Sequence, residues 1–286
     1  MTKQHPSTRT QRLLTQILSR FLLAAACSFP LAAFSDIMIT PTRLVMDEKN
    51  RTAEVTLLNT KKETKVYRIF LSEKIQNAAG GYNDIDTKEG EFIASPMLRY
   101  SPKKVSIEPG GYQRIKLSYR MPANLEDGEY RSHLAMKLID SGVELSDYKQ
   151  APENATGMSM TIVPVLSFSI PVIVRKGKID IDTNINNPDL STTDGKKALA
   201  VTLHKKGIYS SFGSVHVYMK ANAISDVVKI GEITNIAVYR ESNSRTVHIP
   251  LTTDNIPSGA TLQVIYEGDD EYEGTQWGSA SFTYQQ

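Results

Sequence analysis

The chain is poor in cysteine and tryptophan, with one of each in 286 residues. The cysteine, Cys27, falls inside an N-terminal stretch that reads as an export signal. The exported chain would then have no thiol, which excludes disulfides, thiol nucleophiles and cysteine-ligated metal centres together. The signal reading rests on Lys3, Arg9, Arg12 and Arg20 without an acid, then the run FLLAAACSFPLAAF, then Ala33-Phe34-Ser35 as a small-x-small cleavage site. Residues 1–35 are expected to be removed, so that the mature chain starts at Asp36. The apolar run is about 14 residues, against the roughly 20 needed to cross a bilayer, so membrane insertion is not expected. A strong charge of one sign is also lacking. Without the signal, 29 Lys and Arg face 31 Asp and Glu, a net charge of about −2 that offers no bulk field for nucleic acid or anionic lipid.

Catalytic signatures are absent as well. The mature histidines, His133, His204, His216 and His248, stand in no ligand spacing. No GxSxG elbow and no phosphate-cradling glycine loop occurs. No enzyme activity and no cofactor are expected. The acidic run Gly268-Asp269-Asp270-Glu271-Tyr272-Glu273 resembles a calcium loop in composition only and reads as a solvated hairpin loop.

Strand patterns fill the remainder. Segments such as Ala53 to Leu58, Val66 to Leu71 and Gln113 to Tyr119 recur at short spacing. Between them stand turn signals such as Ala79-Gly80-Gly81, Glu108-Pro109-Gly110-Gly111 and Asp127-Gly128, the pattern of an all-β sandwich. A second series runs from Ala198 to Tyr284, enough for a second sandwich. The expected division is 36–176 and 177–286, with the boundary near residues 175 to 178 and very little helix. The polar segment Asn184 to Lys197 (NINNPDLSTTDGKK) reads as a loop near the start of the second domain. The most unusual segment is Met158 to Arg175, MSMTIVPVLSFSIPVIVR, whose even positions from Met158 to Val172 form one unbroken apolar row. Alternate side chains of a strand share a face, so this row would line one side of a strand about three times the ordinary 5–6 residues. Such a strand has more edge and more apolar surface than one sandwich needs.

Several segments, in order, resemble the periplasmic pilus and fimbrial chaperones of the chaperone-usher pathway. Ile39-Thr40-Pro41-Thr42-Arg43-Leu44-Val45-Met46 resembles the family's first strand, and Tyr100 to Gly110 with Gln113-Arg114-Ile115 resembles its proline-containing stretch, EPG turn and following core strand. Asp127-Gly128-Glu129-Tyr130-Arg131-Ser132-His133-Leu134 resembles the strand before the family's donor strand, and Ile170 to Arg175 the donor strand's end. The resemblance implies two immunoglobulin-like sandwiches set at an angle as a boomerang, in the periplasm. It also implies a use for the long strand: pilus subunits that lack their last strand would receive it by donor-strand complementation before delivery to an outer-membrane usher. Met160, Ile162, Pro164, Leu166, Phe168 and Ile170 are the donor residues so implied. Four or five such side chains at roughly 1.5–3 kcal/mol each would meet an association cost of about 4–15 kcal/mol.

Arg43 matches the arginine that holds the subunit's terminal carboxylate, but Pro171 stands where the family has a lysine, so this chain departs from the pattern there. Arg175 and Glu129 match an interdomain salt bridge whose third member the sequence does not reveal. The loop from Asp140 to Gly157 is long for a hairpin, and Met158 and Met160 would extend the donor strand. The sequence leaves open whether the free protein caps its own strand by dimerising. A secreted β-sandwich subunit of a surface fibre is the competing reading; the absence of a donor-like segment before Arg43 weighs against it.

Overall fold

The computed structural model describes residues 37–86, 92–140, 166–193 and 196–285. The export signal, most of the loop after Asp140, and Met160, Ile162 and Pro164 of the expected donor strand lie outside them. In chain order the strands are β1 (Ile37–Thr40), β2 (Leu44–Met46), β3 (Thr52–Asn59), β4 (Lys65–Ser72), β5 (Lys74–Gln76), β6 (Tyr82–Asp84), β7 (Leu98–Ser101), β8 (Lys104–Ile107) and β9 (Tyr112–Tyr119). There follow β10 (Gly128–Asp140), β11 (Ser167–Lys176), β12 (Asp182–Thr193), β13 (Lys196–Lys206), β14 (Ser211–Lys220), β15 (Val227–Val238), β16 (Ser244–Pro250), β17 (Thr261–Gly268) and β18 (Gln276–Thr283). Helix is confined, among the described residues, to 3₁₀ turns.

The first sandwich packs the sheet β1-β3-β9-β7 against β2-β11-β10-β4-β8; the second packs β12-β13-β16 against β15-β14-β17-β18. The cause is alternation. In β3 and β9, Val55, Leu57, Ile115 and Leu117 turn inward, while Glu54, Arg114 and Lys116 turn out. Those inward rows meet Ile69, Met136 and Val172 in one core; Leu199, Val217, Ile249 and Val264 belong to the other. A small third cluster, with Ile173, Phe212, Tyr239 and Tyr272, joins the two sandwiches. Gly177, with φ of 86°, turns the chain out of β11 where a side chain would strike the Asp127 carboxylate.

Two sequence expectations need correction. Asn184 to Lys197 is strand wherever it is described: β12 pairs with β13 from Asp182↔Lys206 to Thr193↔Lys196. Its polar character fits because β12 is an edge strand, and the register shift between Asn186 and Asp189 accommodates Pro188 where a ladder donor is missing. Ile170 is the second. With Val172 and Val174 it lies in the core of its own sandwich, 4% exposed, which removes it from any surface that could fill a partner's groove.

One irregularity of the first sandwich positions the site. The N-terminal strand changes sheets: β1 pairs with β3, and after Pro41-Thr42-Arg43 the chain enters the opposite sheet as β2, parallel to β11. That pairing covers only Val172 to Val174 of β11. On the same side, Ser167 to Pro171 of β11 have no ladder partner among the described residues.

Candidate functional site at the junction of the sandwiches

Arg43 sits where β2 begins, beside the point at which the open edge of β11 ends: its neighbour Leu44 is the register partner of Val172. Its side chain is buried. Nη1 donates to both carboxylate oxygens of Glu271, at 2.6 and 2.7 Å, and the guanidinium lies 4.3 Å from the centre of the Phe212 ring. Nε and Nη2 of Arg43 are buried without a hydrogen-bond partner.

Glu271 Oε1 also accepts from Arg175 Nη1 at 2.8 Å. Arg175 Nε donates to Glu129 Oε2 at 2.9 Å, and Ser210 donates to that oxygen through its backbone N–H at 3.2 Å and its hydroxyl at 2.8 Å. The result is a charge-alternating chain, Arg43–Glu271–Arg175–Glu129, that ties the first sandwich to the second. Burial alone would disfavour charge on Arg175, but Glu129, Tyr272 and Glu271 outweigh it and hold its pKa above the ordinary arginine value. Burial likewise opposes ionisation of Glu271, and Arg43 and Arg175 more than offset it, keeping the carboxyl below its usual range.

The structure thus brings together Arg43, Arg175 and Glu129, expected from the sequence, and adds Glu271 as the member that the sequence did not reveal. The acidic run around Glu271 is not a free solvated loop. It forms a 3₁₀ turn, Asp270–Tyr272, with Tyr272 buried and its hydroxyl donating to Ser210 O at 2.8 Å. Where the family lysine would stand, Pro171 faces His133 across the ladder; the second cation of the junction is Arg175. Of the expected donor residues that are described, Leu166 is 41% exposed and Phe168 is half-buried against the core. Leu166 immediately precedes the open stretch of β11, and Phe168 lies within it.

The β5–β6 hairpin makes a separate contact with the second sandwich. Arg131 pairs with Glu241, lies 3.8 Å from the centre of the Tyr239 ring, and donates to Lys74 O at 3.0 Å. Gln76 N–H donates to the same Glu241 carboxylate at 3.1 Å, and Thr246 N–H donates to Ala78 O at 3.0 Å. Beneath it His133 is 1% exposed, meets the Tyr82 ring edge-on with centres 5.1 Å apart, and has no partner on either ring nitrogen. Burial, then the charges of Arg131 and Lys74, push its pKa down to about 3.

No protein-family model and no curated protein sequence matches the chain. Among solved structures it is similar to the YadV chaperone, at 13% identity and a TM-score of 0.43, over 87% of this chain and 100% of that one. It is similar to the CupB2 chaperone of Pseudomonas aeruginosa, at 12% and 0.43, over 86% and 99% of the two chains. It is also similar to a chain of the CsuC–CsuE chaperone–tip adhesion subunit pre-assembly complex from the archaic chaperone-usher Csu pili of Acinetobacter baumannii, at 13% and 0.42, over 86% and 98%. These three structures are of chaperones, one of them in complex with a tip adhesion subunit.

Proposed function

We propose that this chain is a periplasmic chaperone that lends β11 to pilus or fimbrial subunits, keeps them from aggregating and passes them to an outer-membrane usher. The observation that carries the reading is the open edge of β11 ending beside a buried arginine. On the side away from β10, Ser167 to Pro171 offer backbone groups that no described strand uses, and an exposed edge of this kind is a template for another strand. A subunit lacking a strand supplies the complementary need. Its backbone pairs along β11, Leu166 and Phe168 enter its groove, and Met160, Ile162 and Pro164 continue the row. Its terminal carboxylate takes charge-assisted hydrogen bonds from Arg43, which sets the register of the added strand. Without a subunit, the same edge can pair with that of a second copy. The reading takes residues 1–35 as a signal removed on export, 36–176 as the donor domain and 177–286 as the second domain. It assigns no catalytic step and no cofactor.

The test is co-expression in a periplasm with the subunit genes beside its own, followed by affinity recovery. A one-to-one complex is expected. Arg43→Ala should weaken it by about 10–100-fold, the worth of a charge-assisted hydrogen bond of roughly 1.5–3 kcal/mol. A complex indifferent to Arg43 keeps the strand addition and removes the anchor, whereas no complex with any neighbouring subunit makes the fibre-subunit reading the better one. A second expectation concerns Leu166→Glu. Because Leu166 is 41% exposed, thermal unfolding should stay where it is while capture is lost. Capture by the folded variant at wild-type strength would refute its donor role.

A further inference from the structure

The anchor arginine is already occupied. Arg43 has a side chain 4% exposed, and the carboxylate on its Nη1 is the chain's own Glu271, whose side chain is 27% exposed. An incoming carboxylate therefore finds no vacant cation at this position. It reaches Nη1 only if Glu271 leaves, which gives up its bonds to both Arg43 and Arg175; Glu271 sits on a short surface turn, and Arg175 keeps its tie to Glu129. The chemistry of the exchange is symmetrical: carboxylate for carboxylate, on one guanidinium, with no net change in buried charge. Nε and Nη2 of Arg43 are buried without a partner, so the guanidinium offers no solvent-open edge beside Nη1.

We infer that Glu271 is a resident stand-in for the partner's carboxylate, a built-in competitor that lowers the affinity of the Arg43 site and yields it only to a carboxylate already delivered by strand pairing. The inference rests on the donor-strand reading above and deepens it. Two consequences follow. Loading the site costs the ties of Glu271 to Arg43 and to Arg175 between the sandwiches, so capture and the junction are coupled. And a carboxylate without an adjoining strand competes poorly, which keeps the site closed to free small acids.

The test compares wild type with Glu271→Ala in two arms. In the first, which needs no subunit, phenylglyoxal labels arginines and Arg43 is followed by peptide mass spectrometry. Slow labelling is expected in wild type and labelling at least several-fold faster in the variant. Equal rates would overturn the inference, whatever the protein binds. In the second arm the probe is a synthetic peptide of the last strand of the subunit recovered by co-purification, made once with a free terminal carboxylate and once as the amide. The free acid should bind Glu271→Ala about tenfold more tightly than wild type, with the amide binding both alike. An equal gain for both peptides would mean a general loosening of the cleft and would overturn the competition. Binding of neither peptide to either protein would remove the donor-strand reading, and the exchange role with it, while the labelling arm would still report whether Glu271 covers Arg43. Should Glu271→Ala fold poorly, Glu271→Gln, which keeps the size of the side chain and removes its charge, serves in both arms.

Discussion

Arg175→Ala is expected to destabilise the protein by about 3–5 kcal/mol, the typical cost of removing one partner of a buried ion pair. The reason is what remains behind. Glu129 is 1% exposed, and after the substitution its carboxylate keeps only the donors of Ser210, while Glu271 keeps only Arg43. An isolated buried charge has lost its hydration without recovering it elsewhere. Removing both charges tells the two contributions apart: Glu129→Gln with Arg175→Met should recover most of the loss, because a neutral pair of similar volume leaves no unpaired charge at these two positions. Denaturant unfolding of the single and double variants is the measurement. A loss below about 1 kcal/mol for Arg175→Ala would place the network with solvent-exposed pairs, and the junction would then rest on the apolar contacts of Ile173, Phe212 and Tyr239.

Acidification should weaken the fold in two stages. The first belongs to His133, whose pKa is pushed from 6.5 to about 3 by burial and by Arg131 and Lys74. Below pH 6.5 the unfolded chain binds a proton at this position that the folded chain refuses, so stability falls as pH drops and continues to fall until the folded pKa is reached. At about 1.4 kcal/mol per pH unit the loss is about 2 kcal/mol by pH 5. His133→Phe keeps a ring against Tyr82 and removes the proton, so its stability between pH 6.5 and 5 should lose that slope. The second stage belongs to Glu271. Its folded pKa is held below the ordinary 4.5, so its contribution is complete above that value and is lost as pH falls further through the folded one. Glu271→Gln should lessen the loss in this lower range and leave the slope above pH 5 unchanged. Chemical denaturation from pH 7 to 3 follows both stages. A wild-type curve flat between pH 6.5 and 5 would contradict the burial of an unpartnered neutral histidine.

The sandwiches were legible because their cause is local. Alternation of Val55 and Leu57 with Glu54, or of Ile115 and Leu117 with Arg114 and Lys116, states which face of a strand is dry, and turn residues state where the strand stops. Arg43, Glu129 and Arg175 were legible from the ordered resemblance around them. The polar stretch from Asn184 to Lys197 misled for a physical reason: an edge strand with a solvated face does not require apolar alternation, so composition alone resembles a loop. Ile170 misled for the opposite reason. An unbroken apolar row does not say where a strand stops filling its own core and starts offering itself outward: Ile170 stands in the stretch that β2 leaves unpaired and is still part of the core.

By itself, then, the sequence determined an all-β chain of two sandwiches, since this depends on residue type and on a period of two. Only the tertiary structure decided that Glu271, 228 positions from Arg43 and 96 from Arg175, closes the charge network, and that His133 lies unpartnered beneath the β5–β6 hairpin. Ion pairs and burial of this range depend on how loops from two separate sandwiches dock, and the alternation of a strand records which of its faces is buried but not what is buried against it.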